Sequence, residues 1–250
     1  MIVLNYGGGV NSTALLCEAV RRGVRVDVAV FADTGSEHPA TMAYLPIAAD
    51  FCRANDIRFD VVRWIRQDGT FLALHDWCAK FESLPSKAFG LPGCSVKWKQ
   101  QPVDKHVRAM WDGGAPIERW LGFDAGEYAR VERLADKDEA AWRWRAPLYE
   151  WNLDRVGCLR AVADAGLPEP PKSSCWLCPS MKPREVVALR SDHPDLHAAA
   201  VDLEVKAKAA GNLEHVVGLG RSWAWGDAAA KADARTEDQS CFCFDGDEYA

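Results

Sequence analysis

Several features that would classify a chain at once are missing from this one. No apolar run approaches the ~18 residues that a membrane-spanning helix needs, so no membrane partner is expected. The first residues carry neither a basic segment nor a small-residue cleavage site, and residues 2–6 are expected to form a strand rather than a leader. Acidic residues outnumber basic ones, 36 to 30. At a net charge of −6 no global basic field gathers nucleic acid, although a local basic patch is compatible with that balance. The six histidines do not cluster at metal-binding spacing, and there is no internal repeat or low-complexity tract.

What remains is ordinary globular composition: 250 residues, 48% apolar and 26% charged, enough for one large domain or two small ones. These features predict a cytoplasmic protein. In that compartment nine cysteines point to metal binding, catalysis or burial rather than to disulfides, and an odd count leaves at least one unpaired.

The first half alternates between strand-like and helix-like segments. Strands are expected at 2–6, 24–31, 58–64 and 117–123, and helices at 12–22, 39–55 and 101–111. Such alternation predicts an α/β fold, a parallel twisted sheet of about five strands with flanking helices and right-handed crossovers. From about residue 145 the chain becomes proline-rich loop and helix, with helices expected at 152–165, capped by Asn152, and within 184–210. The expected division is therefore 1–145, a nucleotide-binding α/β domain, and 146–250, a helical, cysteine-bearing region.

Two loops follow strands at the end where α/β sheets bind ligands. The first is Gly7-Gly8-Gly9-Val10-Asn11-Ser12-Thr13. Glycines let the backbone approach an anion, and the N–H groups of the helix that follows point at it. It is not a Walker A loop, because no Gly-Lys-Ser/Thr follows. The second is Asp33-Thr34-Gly35, whose acid suits a ribose hydroxyl or a cation; a plain turn is the alternative. In the second half, Cys175-Trp176-Leu177-Cys178 places two thiols at a spacing that suits one metal, a redox pair or simple burial. Cys17, Cys52 and Cys78 are expected in the core, and Cys241 and Cys243 in a polar tail where exposed thiols can act as nucleophiles. Trp142-Arg143-Trp144-Arg145 reads as a half-buried edge strand or as a base-stacking surface.

Together these motifs resemble the PP-loop ATP pyrophosphatases, and within them the phosphoadenosine phosphosulfate (PAPS) reductase-like branch. Gly8, Gly9 and Ser12 match the family loop Ser-Gly-Gly-x-Asp-Ser, with Gly7 in place of the first Ser and Asn11 in place of the Asp. Asp33, Thr34, Gly35, Pro39 and Thr41 match its second element, and Gly122 to Arg130 its third. The resemblance implies an adenine nucleotide alpha hydrolase-like fold, ATP with Mg2+, and cleavage to an adenylated intermediate and pyrophosphate ahead of sulfur transfer. It implies nucleotide contacts from Gly7, Gly8, Gly9, Asn11, Ser12, Thr13, Asp33, Thr34, Gly35 and Glu127, and catalytic roles for Ser12, Asp33, Lys99 and Arg130. Cys94, Lys99 and Pro102 keep family offsets, but Ser95 stands where a second cysteine is usual. The segment from Pro147 through Cys158 to Pro179 looks like DNA phosphorothioation and phage relatives. A [4Fe-4S] cluster on Cys94, Cys158, Cys175 and Cys178 is the implied cofactor, with Zn2+ as the alternative. Implied partners are ATP or a sulfonucleotide, a sulfur donor protein and a nucleic-acid acceptor, with a dimer as one option. Two other readings stand beside this one. The first is a sulfonucleotide reductase using a tail cysteine, although the tail lacks that enzyme's Glu-Cys-Gly-Ile/Leu-His signature. The second is a non-catalytic nucleotide-binding, cluster-bearing module of a larger complex.

Overall fold

The computed structural model describes residues 1–134 and 137–227. The chain divides into two compact units, each assembled from separated stretches. Unit 1 takes residues 1–33, 38–62 and 100–173; unit 2 takes 34–37, 63–99 and 174 onward. Residues 34–37 and 63–99 of unit 2 come from the first 145 residues of the chain.

Unit 1 holds the sheet. Its strands are β1 (Ile2–Tyr6), β2 (Val28–Ala32), β3 (Arg58–Val62), β4 (Ile117–Trp120) and β5 (Trp142–Arg145). All pair in parallel, in the order β3-β2-β1-β4-β5. The five-stranded parallel α/β architecture is as the alternating sequence predicts. The chain winds outward from β1 through β2 to β3, then returns to β4 on the other side of β1. The strand order thus reverses between β1 and β4, the position at which open α/β sheets leave a crevice at their carboxyl ends.

Side-chain alternation divides the sheet's two faces. Leu4, Tyr6, Ala29 and Phe31 point to one face, where they pack with helices α1 (Val10–Arg21), α2 (Pro39–Ala54), α7 (Pro147–Glu150) and α8 (Arg155–Asp164). Val3, Val28, Val30 and Ala32 point to the other, against Val103 and Val107 of α5 (Gln101–Met110). β2 is buried at all five positions because both faces are covered, which is why Val-Ala-Val-Phe-Ala is apolar without alternation. β5 is the edge strand: Trp142 is buried, and the Arg119 guanidinium lies 4.7 Å from the Trp142 ring centre and 4.1 Å from that of Trp144. Those tryptophans stack on the protein's own arginine.

The cap of α8 is not Asn152. Asp154 takes that place, its carboxylate accepting the Gly157 N–H at 2.7 Å, while Asn152 adopts φ +54° in the preceding turn. Asparagine tolerates that left-handed conformation better than most residues.

Unit 2 contains α3 (Leu74–Lys80), the short α4 (Gly93–Ser95) running into a π-helical turn over Val96–Gln100, α9 (Pro183–Asp192) and α10 (Pro194–Ala209). The span 184–210 is thus two helices. Its core gathers Leu74, Cys78, Trp98, Leu177, Leu203 and Trp225. Glu204 of α10 reaches into that core and accepts N–H groups from Leu219 (2.6 Å) and Trp225 (2.9 Å), fixing the chain that follows the helix. Among the described residues no helix is long and apolar enough to cross a membrane. Cys241 and Cys243 lie outside the described residues.

Candidate functional site

In unit 1 the glycine loop occupies the reversal point of the sheet. Gly9 is the N-cap of α1 and offers no side chain to the first-turn N–H groups, which have no acceptor within the helix itself. Gly8 has φ +79°, and a Cβ there would stand 2.8 Å from Thr41 Cγ2. A Cβ on Gly9 would stand 2.8 Å from Ser173 Oγ. Glycine is required at position 8 by its φ and by packing, whereas a Cβ on Gly9 would displace chiefly the Ser173 hydroxyl and one on Gly7 would meet only Ser12 Oγ, at 3.8 Å. Thr41 is fully buried, and its Oγ1 has no partner among the described residues. An uncapped helix start, an open glycine and an orphaned buried hydroxyl beside it are what a phosphate would satisfy.

The loop after β4 comes up against this one. A Cβ on Gly122 would stand 3.0 Å from both Asn11 C and Ser12 N, so glycine there lets the two backbones touch. Asn11 Nδ2 donates to Asp124 Oδ2 (3.0 Å) and Glu127 Oε2 (3.2 Å), and Asn11 Oδ1 accepts from Arg155 at 3.0 Å. This accounts for an amide at position 11. An aspartate would add a third carboxylate to two, whereas the amide donates to both and accepts from the arginine. Glu127 is held further by Arg130 and by the Asp124 N–H. Glu127 and Arg130 form the i,i+3 pair that their spacing allows, but it is largely buried and braces Asn11.

The remaining expected nucleotide residues are placed as follows. Ser12 is buried, with its hydroxyl on Gly9 O at 3.0 Å. The Thr13 hydroxyl lies between Gly9 O and Tyr6 Oη, each at 3.0 Å, and is turned into the core. Asp33 is buried at the end of β2, its N–H on Val62 O.

Thr34 and Gly35 belong to unit 2, where they meet the cysteines. Thr34, Cys94, Ser95, Lys99, Cys175 and Cys178 line one cavity. Thr34 Oγ1 donates to Glu37 Oε1 (2.9 Å) and lies 3.3 Å from Cys175 Sγ, which itself donates to Glu37 Oε1 at 3.6 Å. Glu37 is paired with Lys99 Nζ at 3.2 Å, and both side chains are buried. Gly35 has φ +71°, and a Cβ there would clash with Ala73 and Phe71 at 2.6 Å, so the turn presenting Thr34 admits only glycine.

Three of the four expected ligands thus share one cavity. Cys158 does not line it: the residue sits in α8 of unit 1, fully buried among Leu148, Val162 and Leu16, and burial pushes its thiol up to about 12. Cys17, Cys52 and Cys78 are buried, their thiols likewise pushed up to about 12 by burial. Among the described residues no three His, Cys, Asp or Glu side chains converge closely enough to hold one metal ion. A single zinc binds each thiolate at ~2.3 Å and needs such convergence. A cubane cluster instead spreads its thiolates over separate irons.

Sequence reasoning missed Asp124, Arg155 and Glu37. Asp124 and Arg155 become legible only once Asn11 is placed between them. Glu37 stands two residues after Gly35, but nothing in the sequence marks it as the partner of a lysine 62 positions further on.

No family model matches the chain, and no curated protein matches it. Among solved structures, the U34-tRNA thiolase NcsA from Methanococcus maripaludis with its [4Fe-4S] cluster is similar at a TM-score of 0.49 and 14% identity, over 83% of this chain and 72% of that chain. A likeness of that size says nothing about this chain's chemistry.

Proposed function

We propose that the chain is a cytoplasmic PP-loop enzyme of the PAPS reductase-like type, which cleaves ATP to activate a target for sulfur transfer. The observation that carries this is the convergence of three separated motifs in one cavity: Thr34 from the Asp-Thr-Gly loop, Cys94 and Lys99 from α4 and the π-helical turn after it, and Cys175 and Cys178 from the C-x-x-C.

In this reading a nucleophilic oxygen of the target attacks the α-phosphorus of ATP, the α–β phosphate linkage breaks, and pyrophosphate leaves. A sulfur nucleophile from a donor protein then displaces AMP. N–H groups from Gly7 to Ser12 hold the leaving phosphates, with Thr41 completing the contact and Mg2+ offsetting charge. Asn11 keeps the loops after β1 and β4 in register. A [4Fe-4S] cluster on Cys94, Cys175 and Cys178 would supply an iron not ligated by these three thiols, able to bind sulfur. Lys99, held by Glu37, offsets negative charge at the cavity wall.

Anaerobic purification with iron and sulfide analysis tests the assignment. About four irons with equal sulfide are expected, retained in Cys158→Ala and lost in Cys94→Ala, Cys175→Ala and Cys178→Ala. One zinc without sulfide, or loss of iron in Cys158→Ala, overturns it. A second reading, nucleotide binding without cleavage, is favoured by Asn11, whose amide carries no charge for a cation. It predicts ATP binding with no pyrophosphate release.

A further inference from the structure

Unit 2 carries a set of aromatic and cationic side chains that the reaction above does not use. The rings of Trp64 and Trp77 meet edge-on at 5.8 Å, and Trp77 continues to Phe81 at 4.5 Å. Phe81 is 48% exposed. The Lys97 ammonium lies 3.0 Å from the Trp77 ring centre and 4.3 Å from that of Trp64, and Lys80 lies 5.8 Å from the ring of Phe81. Among the described residues neither lysine is ion-paired. Asp68 pairs with Arg66 (3.3 Å), and Asp76 lies 3.3 Å from His75 Nδ1. Burial, then the neighbouring Arg66 charge, hold Lys97 below the usual lysine range.

Two uncompensated ammonium groups laid over a run of π-faces suit a ligand that is itself both anionic and aromatic. Phosphates would answer the lysines, and bases would stack on the rings. An apolar protein partner would leave both charges buried and unanswered. We propose that Trp64, Trp77 and Phe81, with Lys80 and Lys97, form a stacking site for unpaired nucleotides of a nucleic-acid strand. That the strand is the acceptor for sulfur rests on the function proposed above; the binding does not.

The test is a titration of fluorescein-labelled single-stranded RNA and DNA 12-mers with the whole protein at 50 mM salt, without ATP. Binding is expected to quench tryptophan emission and to weaken with salt at a log–log slope of about −1.4, two phosphate contacts at ~0.7 each. Phe81→Ala should lower affinity about fivefold or more, as loss of one stacked base does. Lys97→Met should reduce the salt slope by about 0.7. The exposed position of Phe81 makes that variant the one least at risk of misfolding, and circular dichroism confirms it. Preference for RNA or DNA identifies the acceptor. No binding of either strand, or binding unchanged in both variants, overturns the proposal. Binding that persists in a protein releasing no pyrophosphate would remove the sulfur-transfer reading and leave this site standing.

Discussion

Replacing Gly8 with alanine isolates what the glycine loop requires. Two penalties apply. At φ +79° a non-glycine residue costs about 1–2 kcal/mol. The new methyl would also stand 2.8 Å from Thr41 Cγ2 and 3.4 Å from Phe31 Cε2, and such overpacking costs about 1–3 kcal/mol. Together they predict a loss of about 2–5 kcal/mol and, for a chain of this length, a fall in Tm of about 4–20 °C. Only the second penalty depends on Thr41. Thr41→Ser removes Cγ2, retains the hydroxyl, and alone should cost about 0.8 kcal/mol for the lost methyl. The double variant should therefore recover about 1–3 kcal/mol relative to additivity and retain the backbone penalty. Urea denaturation of the four proteins closes the cycle. A coupling energy below about 0.5 kcal/mol would refute the claim that Thr41 enforces glycine at position 8, and with it the placement of the Thr41 hydroxyl against the loop.

Two further predictions concern carboxylates. Asn11→Asp replaces a donor between Asp124 and Glu127 with a third acid, and should destabilise unit 1 by about 2–3 kcal/mol at neutral pH; repulsion raises a carboxyl pKa in the folded state, so the deficit should shrink as pH falls through the carboxylate range, and a pH-independent deficit would refute the geometry. Glu204 in unit 2 is held above the usual glutamate range mainly by burial, against the opposing pull of the Trp225 and Leu219 N–H groups. Its folded-state pKa lies above the unfolded value of ~4.3, so the stability it contributes is fully present below that value and is lost as pH rises through the folded pKa. Glu204→Gln should flatten that decline while costing about 1–3 kcal/mol through mismatched hydrogen bonds, and stability curves of equal slope for the two proteins would count against it.

The parts of the fold read from the sequence are those fixed by near neighbours. Val28 to Ala32 announces a doubly covered strand, and Pro39 opens α2 where a proline can. β3 ends at Val62 rather than Trp64 because the chain there enters unit 2, a change that strand periodicity does not record. Asn152 and Asp154 are both competent caps two residues apart, and only the packing of α8 chooses Asp154. The cysteines show the limit most clearly. Cys94, Cys175 and Cys178 line one cavity, whereas Cys158 joins them only through the resemblance of its surrounding segment. Its neighbours Ala161 and Val162 mark the apolar face of a helix, and the structure places the thiol on that face.

The interleaving of the two units has a consequence for biosynthesis. The chain passes between them at 33/34, 37/38, 62/63, 99/100 and 173/174. The contact between Thr34 and Cys175 closes a separation of 141 residues. On the ribosome, where chains emerge from the N-terminus at roughly 5–20 residues per second, all five strands are out before the C-x-x-C appears. The thiol cavity is therefore among the last parts to form, and Cys94 must wait, reduced, for its companions. Any group loaded there enters only after the C-x-x-C has emerged, once all five strands have left the ribosome.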